Sequence, residues 1–377
     1  MENHLSNDRI ISYHRNKLDY IESPENSLQF AFGDRRYEKM ARQLVQETDI
    51  LKLKILTEIN EDFRRSDFIN LALLSSDILE VLIKHFQDKS QNIRELASRS
   101  IVQVCSLNYG RDRIIEKAHI HNICSLIDDN VSQIRTNSYN AMLNLAEYRI
   151  GAEHILIAEK LPLFVDKLIE EKEESILIQV LQLIKKLLEG EGGTDIILQT
   201  EAIQRLTNHL EHRNQKVFFC FLEIQNNCII FYLFLLKKKI RELSAINLAC
   251  ISFLETGKIK EMELNCVLPL CQKLEDQQSS VREAASICLA SLAQKNQAKF
   301  QVIFFNLIIL LFYKKDDPSL QTKLNIIQLI ASISEHPVGR KIAHECLPKL
   351  EQLKEDKDNE YLVPYILQTV EVITWVP

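Results

Sequence analysis

Glycine, proline and tryptophan are scarce in this 377-residue chain, which has eight glycines, eight prolines and one tryptophan. β-Sandwiches, barrels and propellers need a turn about every 8–12 residues, and turns rely on glycine and proline. The scarcity therefore argues against these all-β folds. A large excess of one charge is also missing, because 46 basic and 52 acidic residues leave a net charge of −6. Binding of nucleic acid driven by overall charge is therefore not expected.

Recognisable chemistry is missing as well. The sequence contains no glycine-rich phosphate loop, HExxH or GxSxG motif. His119, His121 and Cys124 resemble zinc ligands, but no second ligand pair follows at the spacing of a zinc finger. We therefore predict a protein that is not an enzyme and has no metal, cofactor or small-molecule substrate.

The cysteines and the N-terminal residues of the sequence give information on the cellular compartment. The nine cysteines include no C-x-x-C pair, and the opening MENHLSNDRI lacks the apolar core of a signal peptide. These features predict a reduced protein on the cytosolic side of the membrane.

What the sequence does contain is a repeat. A sequence motif such as IRELASRSIVQVC (93–105), which we call the repeat phrase, recurs along the chain. Its second residue, which we call the ruler residue, recurs at intervals of 41, 42, 64, 41 and 41 residues. The ruler residues are Arg94, Arg135, Leu177, Arg241, Arg282 and Lys323. Five glycines keep the same phase, with Ala298 at the one missing position. They are Gly110, Gly151, Gly193, Gly257 and Gly339.

The phrases have helical periodicity. In 134–146, Ile134, Ser138, Met142 and Leu145 fall on one stripe of a helix, and another amphipathic helix precedes each phrase. The phased glycines suit left-handed helix ends, where one helix stops and the next begins. Three helices per 41 residues predict an all-α, armadillo-type right-handed superhelical solenoid of about eight repeats, with HEAT repeats as the close competitor. It would span residues 30–377, after a flexible N-terminal tail, 1–29.

An acidic residue precedes the ruler residue by six positions in four copies. The pairs are Asp88/Arg94, Asp129/Arg135, Asp276/Arg282 and Asp317/Lys323. We interpret them as a structural ladder that ties the turn between helices to its helix, rather than as a charged ligand site.

One step exceeds the repeat by 22 residues, at about 218–239. The longest apolar run in this segment is nine residues, too short for a membrane span, which needs about 20. Two interpretations remain open. The segment is either an insertion covered by a partner or a mistranslated intron. The intron is favoured because the segment is rich in Phe, Leu, Ile, Asn, Lys and Tyr, whose codons are rich in A and T.

Armadillo solenoids bind ligands with their third helices, at positions five and nine after the ruler residue. In the N-terminal half these positions are polar, and in the C-terminal half they are mostly small or apolar, as at Ile246, Ile287 and Ser291. A protein partner, helical or extended, suits such a groove. The predicted protein-binding residues are Arg99, Gln103, Asn140, Asn144, Gln182 and Lys186.

Four segments carry a resemblance: FAFGDRRYEKMARQLV (30–45), RIGAEHILIAEKLPLFVDKLIEEKEES (149–175), HPVGRKIA (336–343) and VITWVP (372–377). Through them the chain, from about Phe30 onward, resembles the armadillo-repeat radial spoke proteins of motile cilia, the radial spoke head 14 homologue family. The 22-residue excess departs from the family's pattern.

The resemblance implies a non-enzymatic scaffold subunit of the axonemal radial spoke, in the cytoplasm and cytoskeleton of cilia or flagella. Its partners would be other radial spoke proteins, with no nucleic acid and no direct insertion into membrane. The same repeats would equally serve a cytosolic armadillo adaptor for trafficking or signalling, which remains the alternative.

Overall fold

The computed structural model describes residues 31–210, 227–304 and 317–375, with the side chains of all of them except 227–236 and 304. The predicted tail, 1–29, and the first part of the excess segment, 218–226, lie outside the described residues. All regular structure in the described ranges is helical. The chain divides into two compact units, one up to Gly110 and one from Arg111 onward.

The first unit contains five helices and the beginning of a sixth among its described residues. They are α1 (Arg35–Gln46), α2 (Asp49–Asp62), α3 (Ser66–Ser75), α4 (Ile78–Lys84), α5 (Gln91–Cys105) and α6 (Asn108–Glu116), which crosses the boundary. A short 3-10 turn, His85–Gln87, extends α4. Helix α2 packs against α5, and α1 closes over both α2 and α4.

The second unit continues the pattern of a short first helix, a second helix and a long third helix. Its first two described repeats, with the first helix of the next, contain α7 (Ile120–Cys124), α8 (Ser132–Ala146), α9 (Arg149–Ile157), α10 (Leu161–Glu170), α11 (Glu174–Leu188) and α12 (Gly193–Ile197). The remainder contains α13 (Ala202–Leu210), α14 (Asn227–Ser252), α15 (Glu255–Glu263), α16 (Val267–Lys273), α17 (Ser279–Leu292), α18 (Asn296–Phe304), α19 (Leu320–Ser334), α20 (Pro337–Ala343), α21 (Leu347–Glu355) and α22 (Val363–Thr374).

The repeat phrases form the third helices, and within the second unit these helices stack directly on one another. Helix α8 packs on α11, α11 on α14, α14 on α17, α17 on α19, and α19 on α22. The small side chain three residues after the ruler is buried in each unit, for example Ala97, Ser138, Ser244 and Ala285. Small residues at this position allow the helix backbones to approach closely.

The phased glycines do not end helices in a left-handed conformation, and that prediction was wrong. Gly110, Gly151, Gly257 and Gly339 lie inside first helices, and Gly193 begins one. None of the five has a positive φ. Their role is close approach, because a Cβ there would lie within about 2 Å of the carbonyl oxygen six residues earlier, at the end of the preceding third helix.

The left-handed positions lie elsewhere in the repeat, at the end of the first helix. Ala118, Glu159 and Asn265 have φ of 54°, 54° and 56°. After each of them, the next backbone N–H donates to the carbonyl five residues back, as from His119 to Ile114 at 3.0 Å. This is the Schellman arrangement that closes a helix C-terminus. Left-handed caps are therefore present in these repeats on residues other than glycine, and Gly192, just before the phased Gly193, also has a positive φ of 79°.

The excess segment does not interrupt the row of third helices. Helix α14 has 26 residues, whereas α8, α11 and α19 have 15. By the ruler it would begin at Lys238, and it begins eleven residues earlier, at Asn227. Asn247 in α14 donates to the Leu181 carbonyl of α11 at 3.1 Å, across 66 residues of sequence. The repeats on either side of the excess are therefore direct neighbours.

Candidate protein-binding surface on the third helices

All six predicted binding residues lie on third helices, in pairs four residues apart. A spacing of four puts both members of a pair on one face, one turn apart. Arg99 and Gln103 lie on α5 in the first unit, and the other four lie on α8 and α11 in the second unit. None of the six is fully buried.

In the first unit the two predicted residues have different surroundings. The Arg99 side chain is half exposed and forms an ion pair with Glu95 at 3.3 Å, one turn earlier. Gln103 instead donates from Nε2 to the Asn60 carbonyl of α2 at 3.2 Å. Asn60 in turn donates to the Ser100 hydroxyl at 3.0 Å. Arg99 therefore offers a charge at the surface, whereas Gln103 joins neighbouring helices.

In the second unit the polar pairs connect adjacent third helices. Asn140 on α8 accepts a hydrogen bond from Gln179 on α11 at 2.7 Å. Lys186 on α11 lies 3.4 Å from the exposed Glu147 carboxylate at the end of α8. Gln182, between these two contacts along α11, is half-buried. The surface here is polar and carries charges that a partner can reach.

The ninth position has a structural role that the sequence did not reveal. Ser291 donates to the Ser252 carbonyl at 2.7 Å, and Ser332 donates to the Ala293 carbonyl at 2.6 Å. Gln103 does the same towards Asn60. The last carbonyls of a helix have no partner within it, and these side chains supply one from the next repeat. Short polar residues at this position therefore reflect helix capping across repeats.

The surface becomes more apolar towards the C-terminal end of the second unit. The fifth position carries Ile246 on α14 and Ile287 on α17, both half-buried. Beyond them, Gln328 and Ser332 on α19 line a cavity of about 290 Å³ together with Tyr365 on α22. The apolar side chains Ile246 and Ile287 follow the polar N-terminal part, as expected from the sequence, whereas the lining of the cavity between α19 and α22 is mostly polar.

The predicted ladder is structural, and it extends further than the sequence showed. Arg94, Arg135 and Arg282 each donate from Nη1 to the backbone carbonyl six residues earlier, at 2.9, 3.0 and 2.8 Å. The aspartate at that earlier position accepts the backbone N–H two residues on, as Asp276 does from Gln278 at 3.0 Å. The ladder thus closes the turn before α5, α8 and α17, whereas Lys323 of the fourth predicted pair donates to the Asn359 side chain at 3.2 Å.

Three of the ruler arginines also reach an acidic residue of the next repeat. Arg135 binds Glu171 through two hydrogen bonds of 3.0 Å, and Arg241 binds Asp276 at 2.8 and 3.3 Å. Arg282 binds Asp317 through Nε alone among the bonds described. Two-pronged pairing of arginine with carboxylate fixes geometry as well as charge. Each of these bonds joins two residues that are 35 or 36 positions apart in sequence, and the bonds hold successive repeats together.

The thiols are core residues. Cys105 and Cys288 are fully buried, and Cys250 is half-buried. Burial raises the pKa of Cys124, Cys266, Cys271 and Cys346 to about 12. A thiol is nucleophilic as the thiolate, so these cysteines are inert at neutral pH. The buried thiols therefore act as small apolar fillers of the core.

Glu261 on α15 is a departure from the repeat that the sequence analysis missed. Its carboxyl is fully buried, and among the described residues its one hydrogen-bonding neighbour is the Cys288 thiol, 3.5 Å from Oε2. Burial raises the pKa of Glu261 well above its ordinary value. The equivalent residues, four after the phased glycines, are Ile114, Ile155, Ile197 and Ala343. Aligning the repeats on glycine would have revealed this acid at a core position.

Neither a metal nor a membrane span is apparent in the described structure. Within residues 31–210, 227–304 and 317–375, no group of three or more His, Cys, Asp or Glu side chains is placed to hold a metal ion. No helix in this part of the chain is long and apolar enough to cross a membrane.

Comparison with known proteins agrees with the fold. The HEAT-repeat family model matches residues 267–295. An engineered protein of known structure superposes with a TM-score of 0.71 at 14% identity, covering 90% of this chain and 78% of that one. No curated protein matches the sequence significantly.

Two designed armadillo-repeat proteins are also similar. One superposes with a TM-score of 0.53 at 16% identity, covering 67% of this chain and 98% of its own. The other, designed for modular peptide recognition, has a TM-score of 0.51 at 16% identity and covers 78% and 99%. The chain therefore has an all-α solenoid fold of the armadillo and HEAT type, a fold typical of proteins that bind other proteins.

Proposed function

We propose that this protein is a non-enzymatic scaffold subunit of the ciliary radial spoke, which binds other spoke proteins through its third helices. The observation that carries the binding role is the layer of stacked third helices, which presents polar and then apolar surface in the second unit. Repeat solenoids with such layers provide extended surfaces for protein partners. The assignment to the radial spoke is supported by the resemblance of the four sequence segments named above to the radial spoke family.

Contacts between these segments support their use as a family signature. The Arg340 guanidinium of HPVGRKIA lies over the Trp375 ring of VITWVP, 4.7 Å from its centroid. Arg340 also donates to the Trp375 carbonyl at 3.3 Å. In the opening segment, Arg36 and Tyr37 both bind Asp62, at 2.8 and 3.0 Å. Two of the segments therefore meet through Arg340 and Trp375, and the opening segment is tied to α2 through Asp62.

Fractionation of ciliated cells that express the tagged protein tests the proposal. We expect the protein to remain on demembranated axonemes in moderate salt and to be lost from axonemes that lack radial spokes. A wholly cytosolic distribution would contradict the spoke assignment and favour the cytosolic adaptor.

Charge reversal tests which surface is used. Arg99→Glu and Lys186→Glu alter exposed or half-exposed charges on third helices, and we expect both to reduce retention on axonemes. Arg42→Glu on α1 and Lys260→Glu on α15 are matched controls, because both side chains are exposed and lie on other helices. Equal retention of all four variants would exclude the predicted surface.

A further inference from the structure

Helix α9 differs from the other glycine-bearing first helices at an exposed position; the sequence of α18, which has Ala298 in place of the phased glycine, also carries an apolar residue there, Phe304. We compare the residue six positions after each phased glycine, which lies in the first helix or in the turn that ends it. In the five repeats with a phased glycine this residue is Glu116, Ile157, Gln199, Glu263 and Glu345. Four of these residues are polar, as expected for a position in contact with solvent. Ile157 is 72% exposed. The repeat therefore accepts a charged residue here, and isoleucine in α9 is not required by packing.

A second exposed isoleucine shares the face of Ile157. Ile150 lies seven residues earlier and is 62% exposed. Seven residues are two helical turns, so the two side chains lie about 10.5 Å apart along one face of α9. Beside them is a shallow cleft of about 460 Å³, whose apolar lining includes Leu156, Ile157 and Ile196. The face and the cleft together form what we call the α9 surface.

The rim of the α9 surface is acidic. Arg149 is shared by two carboxylates, Glu153 at 2.7 Å and Glu191 at 3.1 Å, and Glu191 is largely exposed. One guanidinium between two carboxylates leaves a net negative charge at the cleft. The stretch 147–201 contains twelve acidic and six basic residues, so it alone carries a charge equal to the chain's net −6.

We propose that the α9 surface binds a cationic amphipathic helix of a partner protein. Apolar residues repeated every seven positions match the spacing at which a second helix packs along the first. Lysine or arginine beside the apolar stripe of that helix would meet Glu153 and Glu191 at the rim. The α9 surface belongs to a first helix, so it is separate from the surface of the third helices and could be occupied at the same time.

Binding of model peptides to the purified full chain tests the proposal. The probe is a fluorescent helical peptide of about five turns, with leucine along one face and lysine elsewhere. An otherwise identical peptide has glutamate in place of lysine. We expect the lysine peptide to bind and to protect the amides of α9, but not those of α15, from hydrogen exchange. Tight binding of the glutamate peptide would overturn the assignment.

Two variants separate apolar docking from simple charge attraction. Ile157→Glu and Gln199→Glu each add one negative charge at equivalent positions of neighbouring repeats. We expect Ile157→Glu to weaken binding of the lysine peptide about tenfold or more, because a large apolar side chain leaves the interface. Gln199→Glu should leave binding unchanged or slightly tighter.

Binding of the lysine peptide by Ile157→Glu as tight as by wild type would show attraction by charge alone and overturn the proposal. Self-association of the full chain that Ile157→Glu abolishes would also overturn it, in favour of a second copy as the occupant. The helical content of Ile157→Glu is expected to be unchanged, since three other repeats carry glutamate at this position.

Discussion

One position in the repeat is filled differently in the two units. In the first unit, Lys52 lies 3.8 Å from Asp88 of the next repeat, and both side chains are partly exposed. In the second unit, Arg241 binds Asp276 at 2.8 Å with both side chains 3% exposed. The spacing in sequence is almost the same, 36 and 35 residues. The same register thus supports a loose surface contact in one repeat and a buried two-pronged pair in another.

The difference shows that the repeat register determines which residues meet, whereas burial determines how much their contact contributes to stability. Exposed ion pairs contribute little because water screens them and flexible side chains must be ordered. Breaking a buried pair leaves a charge without compensation. Comparing equivalent positions in different repeats is therefore the most sensitive way to test the structure.

The largest effect is expected from the buried pair. Arg241→Ala leaves Asp276 buried without its charged partner, and we expect a loss of about 3–5 kcal/mol in local stability. Lys52→Ala removes the equivalent contact, which is longer at 3.8 Å and partly exposed, and should cost about 1 kcal/mol. Hydrogen exchange of α14 and α2, respectively, measures each loss within its own unit. Equal losses would contradict the comparison.

The next effect concerns the phased glycines. In Gly257→Ala the new Cβ would lie 2.0 Å from the Ile251 carbonyl oxygen, so α15 must shift from α14. We expect a loss of about 1–3 kcal/mol, the usual cost of overpacking. Ala298 fills the same phase in α18 and is fully buried. Ala298→Gly is the control and should cost about 1 kcal/mol through helix propensity alone. Thermal unfolding checks both, and no loss in Gly257→Ala would contradict the role in close approach.

The buried acid predicts a pH-dependent difference. Glu261→Ile places in α15 the residue that α6, α9 and α12 carry, and we expect it to add about 1–3 kcal/mol at neutral pH by removing a buried polar group that lacks good partners. The pKa of Glu261 is raised in the folded protein, so folding retains a proton that the unfolded chain releases above its ordinary pKa. Wild-type stability should therefore fall as pH rises from about 5.

Denaturant unfolding at several pH values measures this slope in wild type and in Glu261→Ile. The variant should gain more over wild type at pH 8 than at pH 5. A constant difference across that range would show that Glu261 does not take up a proton on folding. Glu263→Ala on the same helix removes an exposed carboxylate and serves as the control.

The smallest effect concerns the left-handed caps. Ala118 and Glu159 have a positive φ, which costs residues with a side chain about 1 kcal/mol relative to glycine. Ala118→Gly and Glu159→Gly should each raise stability by about that amount. Asn265→Gly should change it less, because asparagine tolerates this conformation. Differential scanning calorimetry compares the three variants, and equal shifts would contradict this ranking.

Much of the fold could be predicted because periodicity is a property of the sequence. The ruler residues located the third helices, and the buried small residues at Ala97 and Ser138 followed from it. The position of the glycines in the repeat could be read from the sequence, but their structural role could not. A left-handed end and a close approach both favour glycine, and only the position of the preceding carbonyl distinguishes them.

The candidate site was less predictable. Its residues could be placed on third helices, but the bond from Gln103 to the Asn60 carbonyl depends on how neighbouring helices align. The partner of Arg241 was missed for the same reason, because Asp276 lies in another repeat. Glu261 and Ile157 are visible only when repeats are compared position by position. Contacts between repeats depend on stacking, which a single repeat does not specify.

The repeats on either side of the excess segment are direct neighbours in one continuous row of third helices, and the whole second unit depends on this arrangement. Deletion of residues 218–239 tests it most directly, because the register on both sides is unchanged. Thermal unfolding of the deletion variant should remain cooperative, with α11 and α14 still protected together in hydrogen exchange. Loss of that shared protection, with the second unit separating into two independently unfolding parts, would contradict the claim.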